Sequence, residues 1–114
     1  MNETTDCQLI ELAAKAAGIK ALRDPYGAWR DCTNCVPLMN IFSAPTWNPL
    51  IDDGDALRLA VKLEIEVRGF NGKAHAGKQD KFWCTEKWFP DADSYAATRR
   101  AITRAAAEIG KSMT

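Results

Sequence analysis

Four cysteines, one histidine and a tight acidic cluster are the side chains of this 114-residue chain that could do chemistry. Cys32-Thr33-Asn34-Cys35 has the spacing of half a zinc knuckle or of a redox dithiol. Zinc needs two more ligands. Outside the first helical segment only Cys84 and His75 could supply them, and neither belongs to a second knuckle. Redox work wants the pair at a helix N-terminus after a strand. Here Val36-Pro37 follows and the flanks read as loop, so reduced, metal-free thiols are expected. His75 and Cys84 could meet across strands as base and nucleophile, but no third group is evident to orient them. His75 reads more simply as a solvent-facing strand residue. Glu64 and Glu66 share an outer strand face, where acids are ordinary. Gly77-Lys78 lacks the upstream glycine pattern of a phosphate-binding loop. The sequence thus assigns no catalytic residue, no metal ligand and no cofactor, and the chain reads as a non-enzyme.

Asp52, Asp53 and Asp55 could in principle hold magnesium, but they lack the oxygen-rich spacing of an EF-hand loop. They stand directly before Ala56–Leu63, which carries an apolar helix face. Carboxylates there meet unpaired N–H groups and the positive end of a helix dipole. Asp52 or Asp53 is therefore expected to cap a helix. With Trp47-Asn48-Pro49-Leu50 ahead of them, they read as a structural joint. Trp29 and Trp47 are expected to cover core edges, with an exposed aromatic patch as the alternative.

Basic residues form the remaining candidate set. Fifteen Lys and Arg balance fifteen Asp and Glu, but unevenly: residues 1–66 hold ten acids and six bases, and residues 67–114 five acids and nine bases. Lys73, Lys78 and Lys81 with Trp83, and Arg99, Arg100 and Arg104 on the last helix, could contact a polyanion or an acidic protein patch. An ordinary mixed surface is the plainer alternative, and Arg104 has Glu108 one turn on as a pairing option.

The elements that must position these groups follow from periodicity. Length and 46% apolar content suit one small domain, residues 1–114. No stretch approaches the roughly 20 apolar residues of a membrane span. The polar start Met1–Asp6 has no signal-peptide pattern, so the cytoplasm is the expected location. Thr5 with Gln8 makes a capping box for a helix at 6–17, ended by Gly18. A second helix is predicted at 54–64. A third, alanine-rich helix is predicted at 94–109, led in by Pro90-Asp91-Ala92-Asp93 and ended by Gly110. Leu63, Ile65 and Val67 alternate with Glu64, Glu66 and Arg68 as in a half-buried strand. Asn71-Gly72 is a type I′ hairpin turn leading to strands at Lys73–Gly77 and Lys81–Thr85. Between residues 24 and 51, Tyr26–Arg30 and Leu38–Phe42 are short strand candidates, the first entered through an Asp24-Pro25-Tyr26-Gly27 turn. The fold class is α+β: a single layered domain, an antiparallel sheet of three to five strands packed by about three helices. The second and third helices are expected on one face, and the first on the other face or at an edge.

Three stretches carry a resemblance. Glu11-Leu12-Ala13-Ala14-Lys15-Ala16-Ala17-Gly18-Ile19, Asp52-Asp53-Gly54-Asp55-Ala56-Leu57-Arg58-Leu59-Ala60 and Tyr95-Ala96-Ala97-Thr98-Arg99-Arg100-Ala101-Ile102 resemble small uncharacterised phage and prophage proteins of the phage ABA sandwich domain type. The likeness extends over Leu9–Ile19, Trp47–Leu63 and Tyr95–Lys111, less than half of the chain. It implies a compact layered α/β domain of phage origin and carries over no catalytic residue. The Cys32/Cys35 loop and Asn71–Lys87 depart from the pattern, so a special function would sit there. Two functions are expected, the first from this resemblance and the second from the basic residues. One is an accessory protein that binds a host protein, such as a defence-system inhibitor, through a face made by the Cys32 loop, the 70–87 hairpin and Trp83. The other is a nucleic-acid-binding module using the basic C-terminal half, with Trp83 as a stacking platform.

Overall fold

The computed structural model describes residues 5–88 and 93–113. Its first helix, α1, spans Asp6–Ala17. Thr5 Oγ1 accepts the Gln8 N–H, and Gln8 Oε1 accepts the Thr5 N–H. Two otherwise unpaired donors are satisfied in this way. Gly18 is left-handed at φ 71°, and Ile19 donates its N–H back to Ala14 O. This closes the helix on a glycine because the conformation is strained for any residue with a Cβ.

A two-stranded sheet follows, made by β1 (Ala21–Arg23) and β2 (Trp29–Asp31). The buried Asp24 builds its connection. Oδ1 accepts the N–H groups of Tyr26 and Ala28, and Oδ2 takes Arg30 Nε at 3.0 Å. The turn expected at Asp24–Gly27 is thus present. The strand expected at Tyr26–Arg30 starts later, because Asp24 occupies the N–H groups of Tyr26 and Ala28. Leu38–Phe42 is not a strand. Pro37 helps form a tight turn closed by Met39 N–H on Val36 O. Asn40 then caps a short 3₁₀ turn, Ile41–Ser43, through the Phe42 N–H. The chain rejoins the hairpin at Thr46, which bridges Arg30, and Trp47 donates its N–H to Trp29 O.

Helix α2 spans Asp53–Leu63 and is capped by Asp52. Glu64 ends it in the left-handed region at φ 57°. Strands β3 (Glu66–Phe70), β4 (Lys73–Lys78) and β5 (Lys81–Lys87) then form an antiparallel sheet in the order β3-β4-β5. Asn71 and Gly72 both have positive φ, as a type I′ turn requires. The half-buried pattern expected around Val67 is not realised. Leu63 closes α2, Ile65 is buried in the connection, and every residue of β3 is exposed, Val67 included. β3 is an edge strand that the helices do not cover.

Helix α3, Ser94–Ser112, is capped by Asp93. The lead-in Pro90-Asp91-Ala92 lies outside the described residues. The helix runs past Gly110. A Cβ there would lie 2.1 Å from Leu12 O, so this glycine serves close packing of α1 and α3 and does not stop the helix. α3 lies on the inner faces of β4 and β5, where Ala74 and Ala76 meet it without side-chain bulk. α1 and α2 pack against α3. α3 is therefore a middle layer, and it covers the three-stranded sheet without α2 beside it. One buried cluster includes Ile10, Trp29, Trp47, Leu59, Ala76, Ala101 and Ala105. The architecture is α+β, a single layered domain of three helices with small antiparallel sheets.

Candidate functional site

The acidic joint is built from the helix start outward. Asp52 Oδ2 accepts the Asp55 N–H at 2.8 Å. Asp55 is itself buried and takes the Asn48 N–H at 2.9 Å and Arg58 Nη2 at 2.7 Å. Asp53 pairs with Arg99 at 2.7 Å, and Arg99 Nε reaches Leu50 O. Trp47 is buried just before the joint. All three carboxylates thus hold protein donors and tie the Trp47–Leu50 loop, α2 and α3 together. Among the described residues no three His, Cys, Asp or Glu side chains gather to hold a metal.

The thiols and the histidine are placed apart. Ala76 pairs with Cys84 across β4 and β5, and His75 pairs with Thr85. Cys84 therefore points inward and is buried, while His75 lies on the outer face with Nδ1 2.9 Å from Thr85 Oγ1. Base and nucleophile stand on opposite faces of one sheet. Burial pushes the Cys84 thiol pKa up, which disfavours the thiolate. Cys32 and Cys35 are neighbours in a turn closed by Cys35 N–H on Cys32 O. The Cys32 thiol, and then burial, raise the Cys35 pKa. Neither effect prepares a nucleophile.

The seven expected contact residues fall into two groups. Arg99, Arg100 and Arg104 are engaged within the chain. Arg99 holds Asp53, Arg100 holds Asp6, and Arg104 holds Glu86 and Thr85 O. Their charge is matched by acids. Lys73, Lys78 and Lys81 belong to the β4–β5 hairpin and make no ion pair among the described residues. Trp83 lies on the outer face of the sheet at 37% exposure. It packs over Gly77, where a Cβ would meet its ring at 2.3 Å, and the Arg68 guanidinium sits 5.1 Å from its centroid. Its Nε1 donates to Gln79 O. Phe70, 53% exposed, stacks on His75 at 4.9 Å. This outer face is thus aromatic and basic, with Glu66 pairing Arg68 at 3.0 Å; Phe70 and Lys87 lie at the ends of the expected 70–87 stretch without having been singled out, and Arg68 lies outside it. Register shows them, since Arg68 stands opposite His75, Phe70 opposite Lys73, and Lys73 opposite Lys87.

A second surface surrounds the Cys32 loop. Leu22, Tyr26, Val36, Leu38, Met39 and Phe42 are large apolar side chains left exposed, Tyr26 at 88%. Tyr26 and Phe42 meet at 5.6 Å between ring centroids, and Arg30 stacks on Phe42 at 5.5 Å. Leu38 is fully exposed and has φ 70°. It follows Pro37 at the third position of the Val36–Met39 turn. With positive φ there, the turn normally takes Gly or Asn. The Cys32 loop belongs with β1 and β2, whereas Trp83 belongs to the other sheet, so the face expected from both is divided between two sheets. Among the described residues no helix is long and apolar enough to cross a membrane. No family model, curated protein or solved structure matches the chain, so the phage resemblance rests on the quoted residues alone.

Proposed function

We propose that this protein is a non-enzymatic accessory protein of the phage or prophage kind, acting in the host cytoplasm by binding a host protein, with inhibition of a defence system as the fitting role. The supporting observation is Leu38. A β-turn position that favours glycine holds a leucine, and its side chain stands wholly in solvent. A left-handed conformation costs an L-residue about 1–2 kcal/mol. The Met39 N–H to Val36 O hydrogen bond and Pro37 hold the turn in this conformation, and the exposed leucine side chain is what it offers to another molecule. Tyr26, Val36, Met39 and Phe42 supply apolar surface in the same segment, and apolar patches of this kind mark protein interfaces. The test is a pull-down from host lysate with the wild type and with Leu38→Gly and Tyr26→Ala. Leu38→Gly relieves strain, so its melting temperature should hold or rise while capture of one stoichiometric partner falls. Full capture by the folded double variant removes this surface from consideration.

A second reading has its own observation. Lys73, Lys81 and Lys87 with Phe70 and Trp83 give the outer sheet face the cations and rings that single-stranded nucleic acid uses. Arg99, Arg100 and Arg104 are left out of it, because acids within the chain engage them. Binding of an oligonucleotide that weakens with salt and with Lys81→Ala and Trp83→Ala supports this reading. No binding at low salt ends it.

A further inference from the structure

We propose that Cys32, Cys35 and Met39 form a three-sulfur site for a cuprous ion, Cu(I). Cys32-Thr33-Asn34-Cys35 is a turn closed by Cys35 N–H on Cys32 O at 3.1 Å. A four-residue turn brings its first and last residues together. Here those are the two cysteines, while Thr33 and Asn34 between them are exposed. The thiols act on each other directly, since the Cys32 thiol is the main cause that raises the Cys35 pKa. A second turn follows at once. Met39 N–H donates to Val36 O at 3.1 Å, which folds the chain back at Met39. All three sulfur residues line one groove of about 350 Å³.

The backbone under the thiols is fixed from outside the turn. Cys32 donates its N–H to Lys20 O at 2.7 Å, and Thr33 Oγ1 accepts the Lys20 N–H at 3.1 Å. Asp31, the last residue of β2, accepts the Thr33 N–H at 2.9 Å. The two thiols are therefore already gathered before an ion arrives. Cys32 is buried, Cys35 half-buried and Met39 exposed, so the groove is open to an ion from the Met39 side.

The donors select the metal. Zinc needs four ligands. Cys84 and His75 belong to the other sheet, and Cys7 lies on α1 beside Arg23. What counts against zinc does not count against Cu(I), which is satisfied by soft thiolate and thioether donors alone. Leu22, Val36 and Ile41 give the groove an apolar wall that limits water at the ion. On binding, each cysteine releases its proton. Two thiolates and one Cu(I) leave a single negative charge. Lys20 lines the same groove and favours that charge on Cys35. Asp31 opposes it, but its Oδ1 is occupied by Thr33.

Anaerobic titration of the reduced protein with Cu(I), in competition with a chromophoric Cu(I) chelator, tests this. The wild type should take one ion per chain and develop a near-ultraviolet thiolate-to-copper absorption. X-ray absorption of the loaded protein should show sulfur neighbours only. Cys32→Ser and Cys35→Ser should each weaken binding by about a hundredfold or more, and Met39→Leu by about tenfold. Met39→Leu conserves volume, so its melting curve should hold. If Cys32→Ser fails to fold, Cys35→Ser and Met39→Leu decide alone. A wild type that takes no Cu(I) from the chelator overturns the inference. So does uptake that survives Cys35→Ser or is indifferent to Met39→Leu, and so does a shell of nitrogen or oxygen around the ion.

Discussion

At the scale of single residues, the acids of this protein are structural in different degrees. Asp52 caps α2, so Asp52→Ala should cost about 0.5–2 kcal/mol in urea melts. Asp53 is mostly exposed and only pairs with Arg99, so Asp53→Ala should cost less, within about 1 kcal/mol. Equal losses in both variants would show that the cap is shared between them. Asp24 offers a pH signature. Its burial would raise the carboxyl pKa, but hydrogen bonds from Arg30, Ala28 and Tyr26 outweigh burial and lower it. A depressed folded-state pKa means that the stabilisation is complete above the ordinary carboxylate value and is lost as pH falls through the lower folded value. Asp24→Asn should therefore flatten the acid limb of the stability–pH curve. An unchanged acid limb would show that other carboxylates set it.

At the scale of elements, what was legible in the sequence was what short-range chemistry determines. The capping box at Thr5 and Gln8, the Asp52 cap and the Asn71-Gly72 turn all lie where their residues indicate, because each motif satisfies its own backbone groups. What was not legible depended on partners far along the chain. Val67 alternates correctly for a half-buried strand, but burial needs a covering element, and α3 lies over β4 and β5. β1 is three residues long and exists through β2 and the Asp24 turn, so it has no signature of its own. The division of the arginines from the lysines was equally hidden, since Asp6, Asp53 and Glu86 reach those arginines from other elements. Gly110 is the sharpest case. It reads as a helix stop, yet its missing Cβ makes room for the α1 backbone. Gly110→Ala should gain helix propensity and still destabilise, by about 1–3 kcal/mol, because α1 must move away. A stabilised Gly110→Ala protein would mean that α1 and α3 can separate without loss.

At the scale of the whole molecule, α3 is the element common to both sides of the fold. Ala101, Ala105 and Ala106 are fully buried within it, and small side chains let the sheet and the other two helices approach one helix closely. Trp29 and Trp47 report on the side that holds the two-stranded sheet, and Trp83 and Trp88 on the three-stranded sheet. With one helix serving both, neither side retains its packing once α3 leaves. Urea unfolding followed in variants that keep only one tryptophan from each side should therefore give coincident transitions, the mark of all-or-none behaviour. Ala105→Leu inserts bulk into this shared layer and should lower both midpoints together, by about 1–3 kcal/mol of stability. Two separated transitions, or a shift confined to one reporter, would show that the two sheets fold on separate cores. The exposed surfaces around Leu38 and on the outer face of β3-β4-β5 would then belong to two units able to bind independently.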